Sequence, residues 1–265
     1  MMTRLHAIAL LLLWGLAGSS ISSVHAEVDR EKLLAEPGIY GTFAVFGLDA
    51  EWGRLEPSAR IAWLATLKGV VEQHREHVAI DVYLLRGLSN QADVLFRIHA
   101  KELRKGQEFL LDLQSSRFGK HLKPVRVMHG LTKKPNYAPR FSDQMKADLK
   151  LPSEAGEKSY VIVIPIKKSA EWWGLEQETR TALMEEHTAV ALPFLKTIKR
   201  KLYHSSGLDD IDFITYFETS SLEDFHSLVL SLEKVKEFQY TRQFGNPTLL
   251  GTVQSLDEII ETLAQ

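Results

Sequence analysis

Residues 40–46 read Tyr-Gly-Thr-Phe-Ala-Val-Phe, and residues 160–166 read Tyr-Val-Ile-Val-Ile-Pro-Ile. Both segments have the apolar composition of buried strands, and they begin 120 positions apart. The same offset pairs Tyr83 with Tyr203, and a second set of matches follows at an offset of 119. Because the matches keep their order along the chain, we interpret them as one structural unit written twice.

Each copy has the pattern strand, helix, strand, strand, helix, strand, which is that of a ferredoxin-like unit. In the second copy the predicted elements are a strand at 160–166, a helix at 178–198, strands at 201–204 and 212–218, a helix at 222–235, a strand within 239–244 and a closing helix at 255–263. The sequence therefore predicts an α+β fold, with two ferredoxin-like units per chain forming a domain of the dimeric α+β barrel type. The predicted boundaries are an N-terminal unit at 27–132, a connector loop at 133–158 and a C-terminal unit at 159–265.

The first 26 residues have the features of a secretory signal. Arg4 precedes an apolar run at 7–18, and small residues end the segment at Ala26. The run is shorter than the roughly 20 residues that a transmembrane helix needs, so an uncleaved membrane anchor is the weaker alternative. We therefore predict a signal peptide at 1–26, export to the periplasm and no association with a membrane.

Composition excludes several classes of function. The formal net charge is −2, with acids and bases interspersed, so the chain has no electrostatic field that would attract nucleic acid. The chain has no cysteine, which excludes disulfides, thiolate nucleophiles, zinc–thiolate sites and iron–sulfur clusters. The sequence also lacks the glycine-rich phosphate-binding motifs and the common hydrolase motifs. Any metal must therefore be held by nitrogen or oxygen ligands.

His187 lies in the middle of the apolar stripe of the helix predicted at 178–198, one turn from Leu183 and one turn from Ala191. Burying an unpaired polar group costs on the order of 1 to 3 kcal/mol, so we expect this imidazole to be hydrogen-bonded or ligated. Its counterpart at the offset of 120 is Leu67, so the repeated fold does not itself require histidine here. The residues alone leave two interpretations open, a hydrogen-bonded core histidine and a ligand of a metal or haem.

Arg200 follows the same helix. In a strand, Arg200, Leu202 and His204 share one face while the residues between them take the other. If the first face points inward, the guanidinium enters a pocket near His187. The alternative is a basic, solvated strand end.

Other candidate residues are weaker when judged from the pattern alone. Trp172 and Trp173 stand near Lys168, and adjacent tryptophans need a large flat surface to cover, either in the core or at a subunit interface. Glu237 has the pattern of a surface carboxylate. In the polar run at 73–77, His74 and His77 stand three positions apart. This spacing is typical of a solvated helix end and, less often, of a surface metal site.

Taken together, these segments resemble the chlorite dismutase family of haem proteins from Tyr160 to about Val253. The similar segments are YVIVIPIKK-x-AEWW, MEEHT, KRKLYHSSGLDD-x-DFITYFET, VKE and GNPTLLGT. The first half, with GIYGTF and ADVLFR, is compatible with the family but less diagnostic. The resemblance rests on the co-occurrence of these segments at fixed spacing.

The resemblance implies a haem b with ferric iron as the cofactor. It implies a role for each of six residues: His187 as the axial iron ligand, Arg200 as the catalytic distal arginine, Glu237 as the proximal hydrogen-bonding carboxylate, Lys168 as its neighbouring lysine, and Trp172 and Trp173 as the paired tryptophans of the proximal side. One position departs from the pattern, because Phe244 stands where some members have tryptophan. We expect that change to affect the packing of the pocket and the resistance of the enzyme to oxidative damage.

The resemblance further implies that the enzyme converts chlorite to chloride and dioxygen and assembles as a homopentamer. This reaction consumes no net proton, so a permanently charged Arg200 that holds a hypochlorite-like fragment suits it. Coproheme decarboxylases share the fold, but they are cytoplasmic and have a non-ionic distal residue, so Arg200 and the export signal favour chlorite as substrate. The alternatives are a haem peroxidase or other haem-handling enzyme on the same fold, and a periplasmic haem carrier.

Overall fold

The computed structural model describes residues 27–134, 137, 140–148 and 159–265. The predicted signal peptide at 1–26 and most of the predicted connector lie outside the described residues. Within the described ranges, no helix is long and apolar enough to cross a membrane.

The first repeat forms around a four-stranded antiparallel sheet. Its elements are α1 (Arg30–Ala35), β1 (Tyr40–Leu48), α2 (Pro57–His74), β2 (Val78–Leu84), β3 (Val94–Ala100), α3 (Leu103–Ser115) and β4 (Leu122–Leu131). The strand order is β4-β1-β3-β2, which is the order of a ferredoxin-like sheet. A short helix, α4 (Asp143–Asp148), follows in the connector.

The second repeat forms a sheet of the same kind. Its elements are β5 (Tyr160–Lys168), α5 (Ala170–Gly174), α6 (Gln177–Ala191), β6 (Ile198–His204), β7 (Phe213–Thr219), α7 (Leu222–Leu232), β8 (Thr241–Phe244), β9 (Leu249–Thr252) and α8 (Leu256–Ala264). The strand order is β6-β7-β5-β9, and β8 extends the far end of β5. The predicted fold class is confirmed.

The structure differs from the predicted elements in two respects. The helix predicted to reach residue 198 ends at Ala191, because Pro193 cannot donate a backbone hydrogen bond and the chain continues as a 3-10 turn, Leu192–Lys196. The strand β9 was not predicted at all. It follows the cis peptide bond between Asn246 and Pro247, and it pairs with β5 beside β8.

The two sheets close into a barrel. Single bridges join them at two seams, Leu131 to His204 and Leu84 to Thr252, and the pairing of β5 with β7 completes the circuit. At the first seam, the paired residues Gly41 and Gly130 make room for the ring of Tyr203, because a Cβ atom at either would lie within 2.7 Å of that side chain. Apolar side chains fill one part of the barrel interior, where Tyr203 is 0 % exposed, and the buried polar side chains of Arg97, His99 and Glu218 lie beside it.

The outer faces of the two sheets are covered differently. In the first repeat, α2, α3 and α8 pack tightly on the sheet, and Leu67 is fully buried there. In the second repeat the buried cluster under α6 and α7 has only three members among the described residues, Ala191, Ile198 and Leu228. The apolar residues of α6 at Leu183 and Met184 are only half-buried. The second repeat therefore presents a partly open apolar wall where the first has a filled core.

Candidate functional site

His187 lies on the half-buried face of α6, and its side chain is 23 % exposed. Its Nδ1 atom is 3.1 Å from Oε2 of Glu237, a buried carboxylate on the 3-10 turn Lys236–Tyr240. A carboxylate is an acceptor, so this contact places the ring proton on Nδ1 and leaves Nε2 as a free base. An imidazole oriented in this way by a carboxylate is the usual form of a metal-ligating histidine.

Lys168, the last residue of β5, completes the group on the other side of Glu237. Its ammonium donates to Glu237 and, over 2.8 Å, to Oγ1 of Thr241. Its backbone N–H donates to the buried carboxylate of Asp212, which comes just before β7. Burial lowers the pKa of Lys168 to about 8. We expect the Glu237 carboxylate, in direct contact, to favour the charged form of this lysine.

The two tryptophans have different surroundings. Trp172 is 2 % exposed, its ring centroid is 5.0 Å from the Lys168 ammonium, and its indole N–H is buried without a hydrogen-bond partner in the described part of the chain. Trp173 is 46 % exposed and stacks on Phe213 of β7, with ring centroids 6.0 Å apart. Only Trp172 therefore joins the group formed by Lys168, Glu237 and His187.

Arg200 lies on the outer face of β6, opposite to the buried Tyr203 on the same strand. Surrounding protein atoms lower the pKa of its guanidinium, although part of the side chain remains accessible. No carboxylate among the described residues pairs with it. The positive charge of Arg200 contributes to lowering the pKa of His187.

The pKa of His187 is lowered to about 4, because burial disfavours the charged form and the charges of Arg200 and Lys168 act in the same direction. The imidazole is therefore neutral near pH 7. A neutral imidazole is the form that coordinates a metal ion.

Sequence reasoning missed two residues of this group, Thr241 and Asp212, and it wrongly expected His74 to be solvated. Thr241 and Asp212 carry no pattern that marks them, because their partner, Lys168, is distant in sequence. His74 was expected at a solvated helix end, but it is 8 % exposed and bonds Asp112 over 2.8 Å. His99, on β3, is fully buried beside Tyr203.

The residues on this side of the second sheet fit a haem. His187 offers one nitrogen, which is what haem iron takes from a protein on its proximal side. The half-buried wall of α6 and the aromatic residues around β7 offer apolar surface for a flat macrocycle. The unpartnered N–H of Trp172 offers a buried donor for a polar group of such a ligand.

A closed barrel of two ferredoxin-like sheets, with a carboxylate–histidine pair on one outer wall, defines a protein of the dimeric α+β barrel class with a site suited to haem. Comparison with known proteins gives the family. The model of the chlorite dismutase family matches residues 60–254. The chain belongs to the chlorite dismutase family.

Two similar proteins are chlorite dismutases, and a more distant one is a coproheme decarboxylase. The chlorite dismutase of Ideonella dechloratans is 39 % identical over 244 residues, covering 91 % of this chain and 86 % of that protein. The solved chlorite dismutase of Candidatus Nitrospira defluvii in complex with imidazole is 56 % identical, with a TM-score of 0.87, over 89 % of this chain and 100 % of that chain. A coproheme decarboxylase of Mycolicibacterium smegmatis is 28 % identical over 111 residues, 41 % of this chain and 47 % of that protein. Family membership confirms the predicted enzyme class, a haem-dependent chlorite dismutase.

Proposed function

We propose that this chain converts chlorite to chloride and dioxygen at a ferric haem b, with His187 as the axial ligand and Arg200 as the catalytic residue of the opposite side. The observation that carries the proposal is the contact between His187 and Glu237, because it leaves one basic nitrogen on a surface suited to a macrocycle. When bound, the haem supplies the iron at which chlorine–oxygen bonds are broken and the oxygen–oxygen bond is made.

Glu237 and Lys168 set the strength of the histidine ligand. Glu237 holds the proton of Nδ1 and makes the free nitrogen more basic. Lys168 neutralises the carboxylate and keeps it from taking that proton completely. Thr241 and Trp172 hold the lysine, one by a hydrogen bond and one by its ring.

Replacing Glu237 by glutamine is expected to weaken haem binding about 10- to 100-fold, the range typical of partners that orient a metal ligand. The reduction potential of the iron should rise, because a neutral amide gives a less basic imidazole. Haem titration of the apoprotein and redox titration of the loaded protein measure the two effects. The matched control is Glu233→Gln, four positions away on an exposed side chain. A Glu237→Gln protein with the parent's affinity and potential would contradict the role.

Arg200 suits a reaction that neither consumes nor releases a net proton. A guanidinium stays charged near pH 7 even where burial lowers its pKa, and it presents several donors to an oxyanion. With no carboxylate partner among the described residues, its charge is available to chlorite and to the hypochlorite fragment that must be retained until dioxygen forms.

The direct test follows dioxygen on an electrode after chlorite is added to the haem-loaded protein. The proposed activity requires one dioxygen for each chlorite consumed. Efficient turnover of hydrogen peroxide with little dioxygen from chlorite would instead identify a haem peroxidase. Reversible release of haem without oxygen evolution would identify a haem carrier.

The location and assembly of the protein belong to the same proposal. The segment at 1–26 supports export to the periplasm, where cell fractionation should find a chain that has lost this segment. Two full units per chain support a homopentamer, as the family resemblance implies. Sedimentation equilibrium of the purified protein should then give about five times the mass of one chain, and a dimer would contradict the assembly.

A further inference from the structure

A chain of hydrogen bonds crosses the barrel interior between the two repeats. The hydroxyl oxygens of Tyr83, on β2, and Tyr216, on β7, lie 2.5 Å apart, and Tyr216 donates to a carboxylate oxygen of Glu218. A tyrosine hydroxyl carries one proton, so Tyr83 must donate to Tyr216. The two tyrosines are buried, with 4 and 1 % of their surface exposed. None of these three residues belongs to the group around His187.

The chain lies directly behind the wall that carries Arg200. Arg200 of β6 is paired with Phe217 of β7, and paired residues of antiparallel strands share a face, so both side chains point outward. Tyr216 is the neighbouring residue on β7 and therefore points into the barrel, where it is buried. One strand of backbone thus separates this tyrosine from the surface proposed for the haem.

The surroundings of Tyr216 decide how it can lose an electron. Burial raises the pKa of both tyrosine hydroxyls, so both are protonated near pH 7. The guanidinium carbon of Arg97 lies 3.6 Å from the centre of the Tyr216 ring. A cation at this distance opposes a second positive charge on the ring, so the electron must leave together with the hydroxyl proton. Glu218 already holds that proton in a hydrogen bond.

Glu218 also connects the chain to solvent. Its carboxylate lies 3.5 Å from the ammonium of Lys199, whose side chain is 56 % exposed. A proton that reaches Glu218 therefore has a short path out of the barrel.

Tyr203 shows what another buried tyrosine of the same barrel lacks. Its hydroxyl accepts a hydrogen bond from Arg97 over 2.7 Å and lies 2.7 Å from Nε2 of His99. Burial lowers the pKa of His99 well below its usual value, and the charges of Arg97 and Arg30 add to the effect. This imidazole is therefore a poor proton acceptor. No carboxylate of the described part of the chain is hydrogen-bonded to the Tyr203 hydroxyl.

We propose that Tyr83 and Tyr216 form a one-electron redox site that takes an oxidising equivalent from the bound haem when a peroxide has oxidised it. The inference rests on the proposed function, because it needs a haem on the outer wall. Tyr216 gives one electron to the oxidised haem, which is reduced by one electron. The O–H bond of Tyr216 breaks, an O–H bond forms on Glu218, and a neutral phenoxyl radical remains on Tyr216. The hydroxyl of Tyr83 stays hydrogen-bonded to the radical oxygen and stabilises it.

The first test mixes the haem-loaded protein with hydrogen peroxide, freezes it and records the electron paramagnetic resonance spectrum. The parent should show a tyrosyl radical, identified by the change in its hyperfine pattern when the protein carries ring-deuterated tyrosine. Tyr216→Phe should lose almost all of this signal, and Glu218→Gln should lose most of it, because an amide does not take up the proton. The matched control is Tyr203→Phe, which removes a buried hydroxyl without a carboxylate partner and should keep the signal of the parent.

The outcomes separate this inference from the proposed function. The Soret band of the same samples reports whether haem was bound and whether peroxide oxidised it. An oxidised haem without a tyrosyl radical in the parent, or a radical of parental size in the Tyr216→Phe protein, overturns the redox site. A protein without Soret absorbance contradicts the proposed function instead, and a measurement without haem then decides the inference.

That measurement needs neither haem nor a variant of Tyr216. A ruthenium polypyridyl complex, excited by a laser flash in the presence of an electron acceptor, oxidises the unmodified protein from solution. The longest-lived radical should be a tyrosyl, and electron–nuclear double resonance should find hydrogen-bonding protons at its oxygen. Tyr83→Phe should remove one of these protons. A longest-lived radical on tryptophan, or a tyrosyl without a hydrogen-bonding proton, would overturn the proposal even if the Tyr216→Phe protein failed to fold.

Discussion

Replacing His187 by alanine is expected to leave a folded protein that retains almost no haem. The side chain is part of a partly open wall and not of a filled core, so its removal creates no large buried cavity. What is lost is the basic nitrogen that the contact with Glu237 prepares. Circular dichroism should therefore change little, while the Soret absorbance of the purified protein falls to a small fraction of the parent's.

Rescue separates ligation from packing. Added imidazole can enter the space left by the side chain and should restore Soret absorbance in the His187→Ala protein. The matched control is His226→Ala, which removes an exposed histidine of α7 and should load haem like the parent. Full haem loading of the His187→Ala protein without imidazole would contradict the assignment of His187 as axial ligand.

The fold could be predicted from sequence because its signal is repeated. The offset of 120 residues reappears in the structure as matching elements: β1 begins at Tyr40 and β5 at Tyr160, and both repeats make a turn with a glycine at positive φ, Gly87 and Gly207. Such local patterns do not depend on the rest of the molecule. The closure of the barrel could not be predicted in this way, because it depends on two single bridges between strands that are distant in sequence.

The site was only partly predictable, for a related reason. His187 could be singled out because the other repeat has Leu67 at the same position, and in the structure that leucine is fully buried while His187 remains accessible. Thr241 could not be found, since its one distinguishing feature is a hydrogen bond to a lysine 73 positions earlier. The polar interior around Arg97 was missed because its partners come from strands of both repeats.

Replacing Arg200 by alanine is expected to lower the rate of dioxygen formation about 100-fold or more, the usual effect of removing a group that stabilises developing negative charge. Haem should stay bound, because His187, Glu237 and Lys168 lie on the other elements of the site. The enzyme should also inactivate after fewer turnovers. Without the guanidinium, nothing among the described residues carries a free positive charge on the outer face of β6, and hypochlorite escapes before dioxygen forms.

Escape of hypochlorite is the outcome that distinguishes a catalytic arginine from one that merely supports the strand. A chlorination probe added to the reaction should be consumed by the Arg200→Ala protein and spared by the parent. Arg200→Lys keeps the charge but loses the planar fork of donors, so its rate and its leakage should fall between the two. Arg242→Ala, which removes an exposed arginine from β8, is the control for lost charge alone and should behave as the parent. If the Arg200→Ala protein turns over chlorite as fast and as long as the parent, the charge is not needed to hold the fragment, and the retention of hypochlorite must be sought in the apolar wall.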